Sequence, residues 1–310
     1  MKGKHTAAYR RSTSLWLTGA ALLVVFALYF FLSPQSPLNR REESFYENPL
    51  KVHFIDIGQG DSTLIQTPSG ENVLIDAGPG SEKDTLRAYL GASGIDTIEL
   101  LVFTHPHEDH IGGGKMVLSL CKVKEVLLPD YTTNTAVFKR LLDAIETEGC
   151  TVTQAVPHDS FTIDSVLFSV LGPIQSDYED LNNASAVLRM QYGTVSFLFT
   201  GDAEKKAEQD ILQSFSDAPL HSDVLKVGHH GSSTSSHDAF LEAVCPEYAV
   251  ISCAYQNEYG HPNEKTLQRL RGIHAKILRT DQNGTVVFET NGSSLRCRAE
   301  RSVNTLFANH

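Results

Sequence analysis

One short segment constrains this chain more than any other, because it places four metal-binding side chains directly after a buried strand. The apolar run at residues 98–103 predicts that strand, and His105, His107, Asp109 and His110 follow it. Imidazole and carboxylate groups together suit divalent ions such as zinc, manganese and iron(II). A loop this short cannot easily direct four ligands to one ion, whereas two neighbouring ions can share them. The alternative interpretation is a solvated turn.

Two further predicted strands end in side chains of the same kind. The strand at residues 195–199 is followed by Asp202, and the strand at residues 224–227 is followed by His229 and His230. Each of these ends, taken alone, is also typical of an ordinary turn. Three such ends in one chain are hard to explain as three solvated turns. The sequence therefore predicts one metal site to which all three contribute.

The N-terminal part of the sequence predicts a membrane anchor. Residues 1–14 are basic, residues 15–32 form an uncharged apolar stretch of 18 residues, and no acidic residue precedes Glu42. A helix of that length spans about 27 Å, close to the hydrocarbon thickness of a bilayer. The basic flank predicts a cytoplasmic N-terminus and an extracellular C-terminal domain, and hence a single-pass protein of the cell membrane. Its basic residues are Lys2, Lys4, Arg10 and Arg11.

A cleaved signal peptide is the competing interpretation of this segment. The apolar stretch is long for a signal peptide, and residues 33–37 lack the small-x-small pattern of a cleavage site. An uncleaved anchor followed by a polar linker at residues 33–49 is therefore favoured. The basic flank and the polar linker both argue against a buried core helix.

The remaining residues, 50–310, are enough for one large α/β domain with a substantial core. Predicted hairpins mix with strand–helix alternation, which indicates sheets covered by helices. The formal charge is −11, and discounting the four N-terminal basic residues makes it −15. Such a surface does not attract nucleic acid non-specifically. The five cysteines show no CxxC spacing and lie outside the ligand cluster.

Several segments together resemble the metallo-β-lactamase superfamily, and within it the hydrolase-like domain of the ComEC competence (DNA-uptake) proteins. The resemblance covers about residues 52–298. It rests on the segments HFIDIGQGDSTLI, NVLIDAG, LLVFTHPHEDHIGG, NNASAVLRMQYGTVSFLFTGD, DVLKVGHHGSSTSS and NEYGHP. It implies an αββα sandwich of two similar halves, with a dinuclear metal site at one edge of the sheets.

The resemblance also implies a ligand set for two divalent metal ions, zinc or manganese, and no organic cofactor. The first metal would be held by His105 and His107, the second by Asp109, His110 and His229, and both by Asp202. His230 is the less favoured ligand, because His229 directly follows the strand. The resemblance implies that Asp76 buttresses the ligand loop by hydrogen bonding and does not itself bind metal.

Two features depart from the family pattern. Many superfamily hydrolases place a further histidine before the Gly-Asp pair, where this chain has Asn-Asn-Ala-Ser at residues 182–185. His158 could substitute for it, although a solvated loop is the favoured interpretation there. The competence proteins that move DNA also carry a multi-helix channel domain. This sequence contains one candidate membrane segment, so we do not expect the chain itself to be a DNA channel.

The leading functional hypothesis is a membrane-anchored, exported hydrolase that uses two metals to cleave a phosphodiester. DNA is one candidate substrate. Asp109 and Asp202 would belong to its catalytic centre, while His230, His261 and residues 232–236 would contact the phosphoryl group or protonate the leaving oxygen. His261 fits a structural turn equally well, and residues 232–236 are read rather as a flexible linker. Two alternatives remain: a hydrolase of cell-surface phosphocholine or another ester, and a non-catalytic tethered competence or envelope factor.

Overall fold

The computed structural model describes residues 26, 28, 29, 48–216 and 220–301. The chain divides into two compact units, Met1–Pro49 and Leu50–His310. The predicted membrane span lies outside the described residues except for Phe26, Leu28 and Tyr29, which are helical and exposed. Among the described residues, no helix combines the length and the apolar character needed to cross a membrane. The anchor therefore stays a prediction.

The second unit contains two β-sheets. Its strands are β1 (Leu50–Phe54), β2 (Thr63–Gln66), β3 (Asn72–Ile75), β4 (Thr97–Val102), β5 (Lys122–Leu128), β6 (Thr151–Gln154), β7 (Ser160–Ile163), β8 (Val166–Gly172), β9 (Val187–Tyr192), β10 (Val195–Phe199), β11 (Val224–Lys226), β12 (Tyr248–Ile251), β13 (Lys276–Arg279), β14 (Val286–Thr290) and β15 (Leu295–Ala299). One sheet has the order β15-β14-β1-β2-β3-β4-β5-β6, and the other has the order β13-β12-β11-β10-β9-β8-β7.

Helices cover the outer faces of both sheets. They are α1 (Lys83–Ala92), α2 (Glu108–Ile111), α3 (Gly114–Leu120), α4 (Ala136–Glu148), α5 (Lys205–Ser214), α6 (Asp238–Val244), α7 (Glu264–Gly272) and α8 (Thr280–Asn283). Leu90 of α1 and Leu141 of α4 pack in a cluster with the first sheet, and Ile211 of α5 and Leu241 of α6 pack in a cluster with the second. The layers thus run helix, sheet, sheet, helix, which confirms the predicted αββα sandwich.

The two-residue period of the strands divides the apolar side chains between the layers. In β10, Phe197 and Phe199 point into the cluster between the sheets, whereas Leu198 packs in the cluster beneath the helices of the second half. Across the central layer Phe54 of β1 meets Phe199 and Phe288 of β14 meets Phe197, with ring centroids 6.2 and 6.0 Å apart. Burial of each such side chain contributes about 1.5–3 kcal/mol.

Parallel strands bring the ligand-type residues to one edge. Strands β3 to β6 run parallel in the first sheet, and β10 to β13 run parallel in the second. Their carboxyl ends therefore share an edge, where α/β folds commonly bind ligands. The predicted cluster follows β4, Asp202 follows β10, and His229 and His230 follow β11. Asp76 follows β3 at the same edge.

The sequence carries little signal for β6 and β7, whose side chains are largely exposed and show no core pattern. The sequence analysis treated the whole His cluster as a loop, which is only partly right. The structure places Asp109 and His110 in the short helix α2, with His107 as the residue that precedes it.

Candidate metal centre

Asp202 lies at the centre of four histidine rings. Its Oδ1 is 3.3 Å from Nε2 of His110. Its Oδ2 is 3.6 Å from Nε2 of His230 and 3.7 Å from Nε2 of both His105 and His229. The side chain is almost completely buried. One carboxylate thus faces imidazole nitrogens that are delivered by two different sheets.

Asp76 holds the ligand loop from below. Its Oδ1 accepts a hydrogen bond from the backbone N–H of Thr104 (2.8 Å), and its Oδ2 accepts one from the Thr104 hydroxyl (2.7 Å). Oδ2 is also 2.8 Å from Nδ1 of His110. A proton on Nδ1 shared with this carboxylate directs Nε2 of His110 toward Asp202, where it is available to a metal ion. Asp76 therefore supports the ligand loop through hydrogen bonds.

The other residues of the predicted cluster also lie at this edge. Nε2 of His105 is 3.0 Å from Nδ1 of His107. Oδ2 of Asp109 is 3.2 Å from Nε2 of His230. Asp109, His110, Asp202 and His230 offer ligating atoms that all lie within 4.8 Å of one another. The three strand ends that the sequence singled out therefore converge.

The paired histidines after β11 differ in their surroundings. His230 is buried, and its Nδ1 is 3.1 Å from the carbonyl oxygen of Ser252. His229 lies at the rim, with a side chain that is 24% exposed and an Nδ1 that is 3.0 Å from Oε1 of Glu204. His230 therefore contacts the cluster at least as closely as His229, which the preference drawn from the sequence did not anticipate.

Backbone strain accompanies this segment. His229 and His230 both have left-handed φ values, 48° and 52°, and Asp76 has a φ of 60°. Such conformations cost free energy in non-glycine residues and persist where the surroundings impose them, often at functional sites. The two consecutive left-handed residues aim both imidazoles at Asp202.

Close backbone approach requires glycine at two positions around the site. A Cβ on Gly60 would lie 2.4 Å from the carbonyl oxygen of Asp109, and a Cβ on Gly201 would lie 2.9 Å from Cβ of Thr104. Both contacts are too short for any side chain. The glycines next to Asp61 and Asp202 thus let the loops of the two sheets pack against the ligand segment.

Asp61 and Lys226 were missed by the sequence analysis. Nζ of Lys226 is 2.6 Å from Oδ2 of Asp61. Oδ1 of Asp61 is 3.4 Å from Nδ1 of His230, and Oδ2 is 4.0 Å from Nδ1 of His110. The available signal was a lysine inside the apolar strand β11, because a buried charge requires a partner.

The loop at residues 232–236 is ordered, so its interpretation as a flexible linker is wrong. Ser235 and Ser236 are buried, and the Ser235 hydroxyl donates to the carbonyl oxygen of Ala203 (2.8 Å). The Thr234 hydroxyl donates to Oε1 of Glu204 (2.6 Å), the same oxygen that contacts His229. This loop therefore fixes the carboxylate that orients His229.

The remaining sequence candidates divide between the site and the rest of the fold. The ring of His261 lies 5.5 Å from that of His229 and 6.5 Å from that of His230, so this residue belongs to the site's rim. His158 instead stacks on Phe215 at 4.4 Å, and its Nε2 is 2.9 Å from the Ser214 hydroxyl. Its contacts are with the end of α5 and not with the ligand cluster.

The segment at residues 182–185 supports Asp202 from its backbone side. The Ser185 hydroxyl accepts a hydrogen bond from the N–H of Asp202 (3.1 Å) and donates to the carbonyl oxygen of Asn182 (2.7 Å). Asn183 Oδ1 accepts from the N–H of Ala207 at the start of α5 (3.0 Å). Residues 182–185 thus position the central carboxylate of Asp202. The family resemblance predicts a metal-binding histidine at this place in the sequence, which this chain lacks.

Charges within the cluster compensate one another. Burial alone would lower the pKa of His110, but Asp202, Asp76 and Asp109 raise it well above its ordinary value. Burial would raise the pKa of Asp202, yet His110 and His230 hold it well below its usual range. Burial and the neighbouring His110 keep the pKa of His105 well below 6.5, so His105 is a neutral imidazole, the form that binds metals.

The donor set fits divalent metal ions. Nε2 of His110 and Oδ1 of Asp202 are both buried and face each other at 3.3 Å, and neither makes a hydrogen bond of good geometry among the described residues. Buried polar atoms are rarely left in this state unless they bind something else, such as a metal ion. Imidazole and carboxylate ligands suit zinc and manganese alike.

Comparison with known proteins decides the family. Residues 55–255 match the metallo-beta-lactamase superfamily. The chain belongs to this superfamily. The resemblance to the ComEC-type competence proteins is confirmed by relatives of similar sequence. ComE operon protein 3 of Bacillus subtilis (strain 168) is 37% identical over 77% of the chain and 33% of its own length. Competence protein ComA of Neisseria gonorrhoeae is 33% identical over 87% of the chain and 37% of its own length.

The chain thus spans about a third of the length of these curated relatives. A solved member of the superfamily fold, the protein YhfI from Bacillus subtilis, superposes with a TM-score of 0.54. It is 14% identical and covers 78% of this chain and 99% of YhfI. That likeness concerns the fold. The chain is therefore a member of the metallo-β-lactamase superfamily with relatives among competence proteins.

Proposed function

We propose that this chain is a membrane-anchored, exported hydrolase that uses two divalent metal ions to cleave a phosphodiester. The observation that carries the proposal is the position of Asp202, whose two oxygens face four histidine Nε2 atoms at 3.3–3.7 Å. A single tetrahedral site has room for four ligands. The cluster around Asp202 offers more than four ligands. This number favours two metal ions that both bind the Asp202 carboxylate.

The second metal would be held by Asp109, His110, Asp202 and His230. Support comes from the spacing of their ligating atoms, all within 4.8 Å of one another, and from the unpartnered Nε2 of His110. This assignment replaces His229 by His230 at the second metal, because His230 is buried and lies 3.2 Å from Asp109.

The first metal would be held by His105, His107 and Asp202. His229 faces the same oxygen of Asp202 as His105 does, each at 3.7 Å. It is therefore placed to supply the third histidine that residues 182–185 do not. Glu204 would orient His229 through Nδ1, as carboxylates orient metal-bound histidines elsewhere.

When bound, such a metal pair lowers the pKa of a water molecule and neutralises charge on the phosphoryl oxygens. Hydrolysis forms a bond between the water oxygen and phosphorus and breaks the bond from phosphorus to the leaving oxygen, which takes up a proton. The products are a phosphomonoester and an alcohol. Burial and the charges of His229 and His230 lower the pKa of His261 to about 4. A neutral His261 is suited to hydrogen bonding with a phosphoryl oxygen and poorly suited to protonating the leaving oxygen.

The test combines metal analysis with three chromogenic substrates that share one leaving group. The full-length protein should contain close to two divalent ions per chain and should hydrolyse bis-p-nitrophenyl phosphate in the presence of zinc or manganese. Turnover of p-nitrophenylphosphorylcholine alone would favour the phosphocholine alternative, and turnover of p-nitrophenyl acetate alone would favour a carboxylic esterase. A metal-replete protein without any hydrolysis would support the tethered-factor alternative.

The cellular location needs a separate test. If residues 15–32 anchor an exported domain, the protein should sediment with membranes and the C-terminal domain should be digested by protease added to intact protoplasts. Digestion only after lysis would reverse the proposed orientation.

A further inference from the structure

The loop that follows β12 presents two aromatic side chains to solvent, and one of them, Tyr259, lies next to His261 at the rim of the metal centre. Tyr255 is 71% exposed and Tyr259 is 65% exposed. Within the described part of residues 48–301, they are the two Phe or Tyr side chains whose surfaces are mostly open to solvent. An exposed aromatic ring beside a reactive site offers a face on which a flat ligand can stack.

Tyr259 is linked to the metal centre by a series of stacked rings. Its ring lies 5.8 Å from that of His261, with an interplanar angle of 27°. The ring of His261 lies 6.5 Å from that of His230, with an angle of 26°. These spacings fall in the range of aromatic stacking. The ring of Tyr259 is therefore separated by one ring, that of His261, from His230, which contacts Asp109 and Asp202.

The loop is built to hold this geometry. Asn257 closes it by donating to the carbonyl oxygens of Ala254 (2.9 Å) and His261 (2.5 Å), and its Oδ1 accepts from the N–H of His261 (3.0 Å). Ala254 N–H donates to Oε1 of Gln59, on the loop between β1 and β2 (3.2 Å).

Behind the histidines, the N–H of Asn263 donates to the carbonyl oxygen of Gly231 (2.8 Å). The loop that carries Tyr259 is thus tied both to the segment after β1 and to the segment of His229 and His230. The backbone that carries Tyr259 is therefore fixed on both sides.

We propose that Tyr259 forms a stacking platform for a nucleobase next to the scissile phosphodiester. The proposal rests on the phosphodiesterase function proposed above, whose substrate class it narrows to nucleotides and single-stranded nucleic acid. A base has a flat face that stacks on tyrosine, worth about 1–3 kcal/mol for each base. Duplex DNA keeps its bases stacked on one another and cannot use such a platform.

The charge distribution favours a base-bearing ligand over a quaternary ammonium. The strongly acidic chain gains little from non-specific attraction to a phosphate backbone, so base stacking has to supply affinity. A quaternary ammonium such as choline also binds tyrosine faces. A bound choline would, however, lie close to the metal pair, whose positive charge would repel its ammonium group.

The experiment compares two phosphodiesters with the same leaving group on the full-length protein. Thymidine 5′-(p-nitrophenyl phosphate) carries a base, and methyl p-nitrophenyl phosphate does not. We expect kcat/KM to favour the thymidine ester by about tenfold, which corresponds to the lower half of the stacking range. Tyr259→Phe should keep this preference, and Tyr259→Leu, which has no ring, should reduce it to near unity. Equal turnover of both esters by the unaltered protein, or a preference that survives Tyr259→Leu, would overturn the platform.

A binding measurement separates this inference from the proposed function. Metal-free protein in EDTA, which cannot hydrolyse the probe, is titrated with tetrathymidylate and with an abasic tetramer of the same charge. Tighter binding of tetrathymidylate that is lost in Tyr259→Leu supports the platform even if no phosphodiester is cleaved. Equal affinity for both tetramers overturns it, whatever the activity. Preferential turnover of p-nitrophenylphosphorylcholine over both esters would assign the tyrosines to a choline site instead and would also overturn it.

Discussion

Nζ of Lys226 lies 2.6 Å from Oδ2 of Asp61, and both side chains are more than nine-tenths buried beneath the metal centre. Lys226 ends β11, and Asp61 lies in the loop between β1 and β2, so the pair joins the two sheets. Lys226 also donates to the carbonyl oxygen of Val227 (2.9 Å). Removing one partner of such a pair leaves an uncompensated buried charge.

Lys226→Met and Asp61→Asn should each lower the free energy of unfolding of the metal-free protein by about 3–5 kcal/mol. The double variant should be destabilised by clearly less than the sum, because it leaves neither charge without its partner. Urea unfolding of the three variants measures the coupling energy. Strictly additive effects would mean that the pair contributes no coupling, and that its role in joining the sheets has been overestimated.

Asp202→Ala should abolish hydrolysis and reduce metal content to below one ion per chain, because Asp202 faces the donors of both proposed metals. The matched control is His158→Ala, which removes a histidine that stacks on Phe215 and lies outside the ligand cluster. It should keep full metal content and activity within about threefold, since a surface substitution of this kind perturbs little. Metal analysis and the phosphodiester assay check both variants. Loss of metal in His158→Ala would mean that His158 is a ligand.

Asp76→Asn should weaken metal binding by about 10–100-fold while leaving most of the fold intact. The carboxylate accepts a hydrogen bond from Thr104 N–H (2.8 Å) and lies 2.8 Å from Nδ1 of His110. An amide carries no charge and has only one accepting oxygen, so it cannot satisfy both Thr104 and His110, and the orientation and basicity of His110 suffer. Competition with a chromogenic chelator measures the affinity. The control is Asp164→Asn, since Asp164 lies on an exposed turn and accepts from Ser69 N–H (3.1 Å). Equal affinities in the two variants would contradict the buttress.

Much of the fold and of the site could be predicted because the information is local. Apolar runs at β4, β10 and β11 each end in ligand-type residues, and parallel strands bring their carboxyl ends to one edge. Contacts between residues that are far apart could not be predicted in this way. The Asp61–Lys226 pair spans the two halves of the chain, and the local pattern around Asp61 indicates a turn.

The sequence also provided no reliable basis for preferring His229 over His230 as a metal ligand. Their order depends on two left-handed residues, which turn His230 inward and leave His229 at the rim next to Glu204. The Ser/Thr composition of residues 232–236 suggested flexibility. Their burial follows from the packing of α5 and the loop after β10, which no local pattern encodes. Exposed strands such as β6 lack the apolar alternation on which strand prediction depends.

The last prediction concerns a buried histidine on the outer face of β1, away from the proposed ligands. Burial, helped by the charge of Lys51, lowers the pKa of His53 from 6.5 to about 4. Its Nδ1 is 2.7 Å from the hydroxyl of Tyr89 on α1. Below pH 6.5 the unfolded chain takes up a proton on this residue while the folded protein does not, so stability falls as the pH drops.

The loss should reach about 2 kcal/mol between pH 8 and pH 5 and should level off below pH 4, where the folded protein is protonated as well. His53→Gln removes the titrating group, so only the unaltered protein should lose this stability as the pH falls. The unfolding free energy of the variant, relative to that of the unaltered protein, should therefore rise by this amount between pH 8 and pH 5. Taking the difference cancels the titration of the histidines at the metal centre, because they are present in both proteins. Urea unfolding at pH 8, 7, 6 and 5 measures it. A pH-independent difference would mean that His53 titrates in the folded protein as it does in the unfolded chain, and that its burial does not suppress its charge.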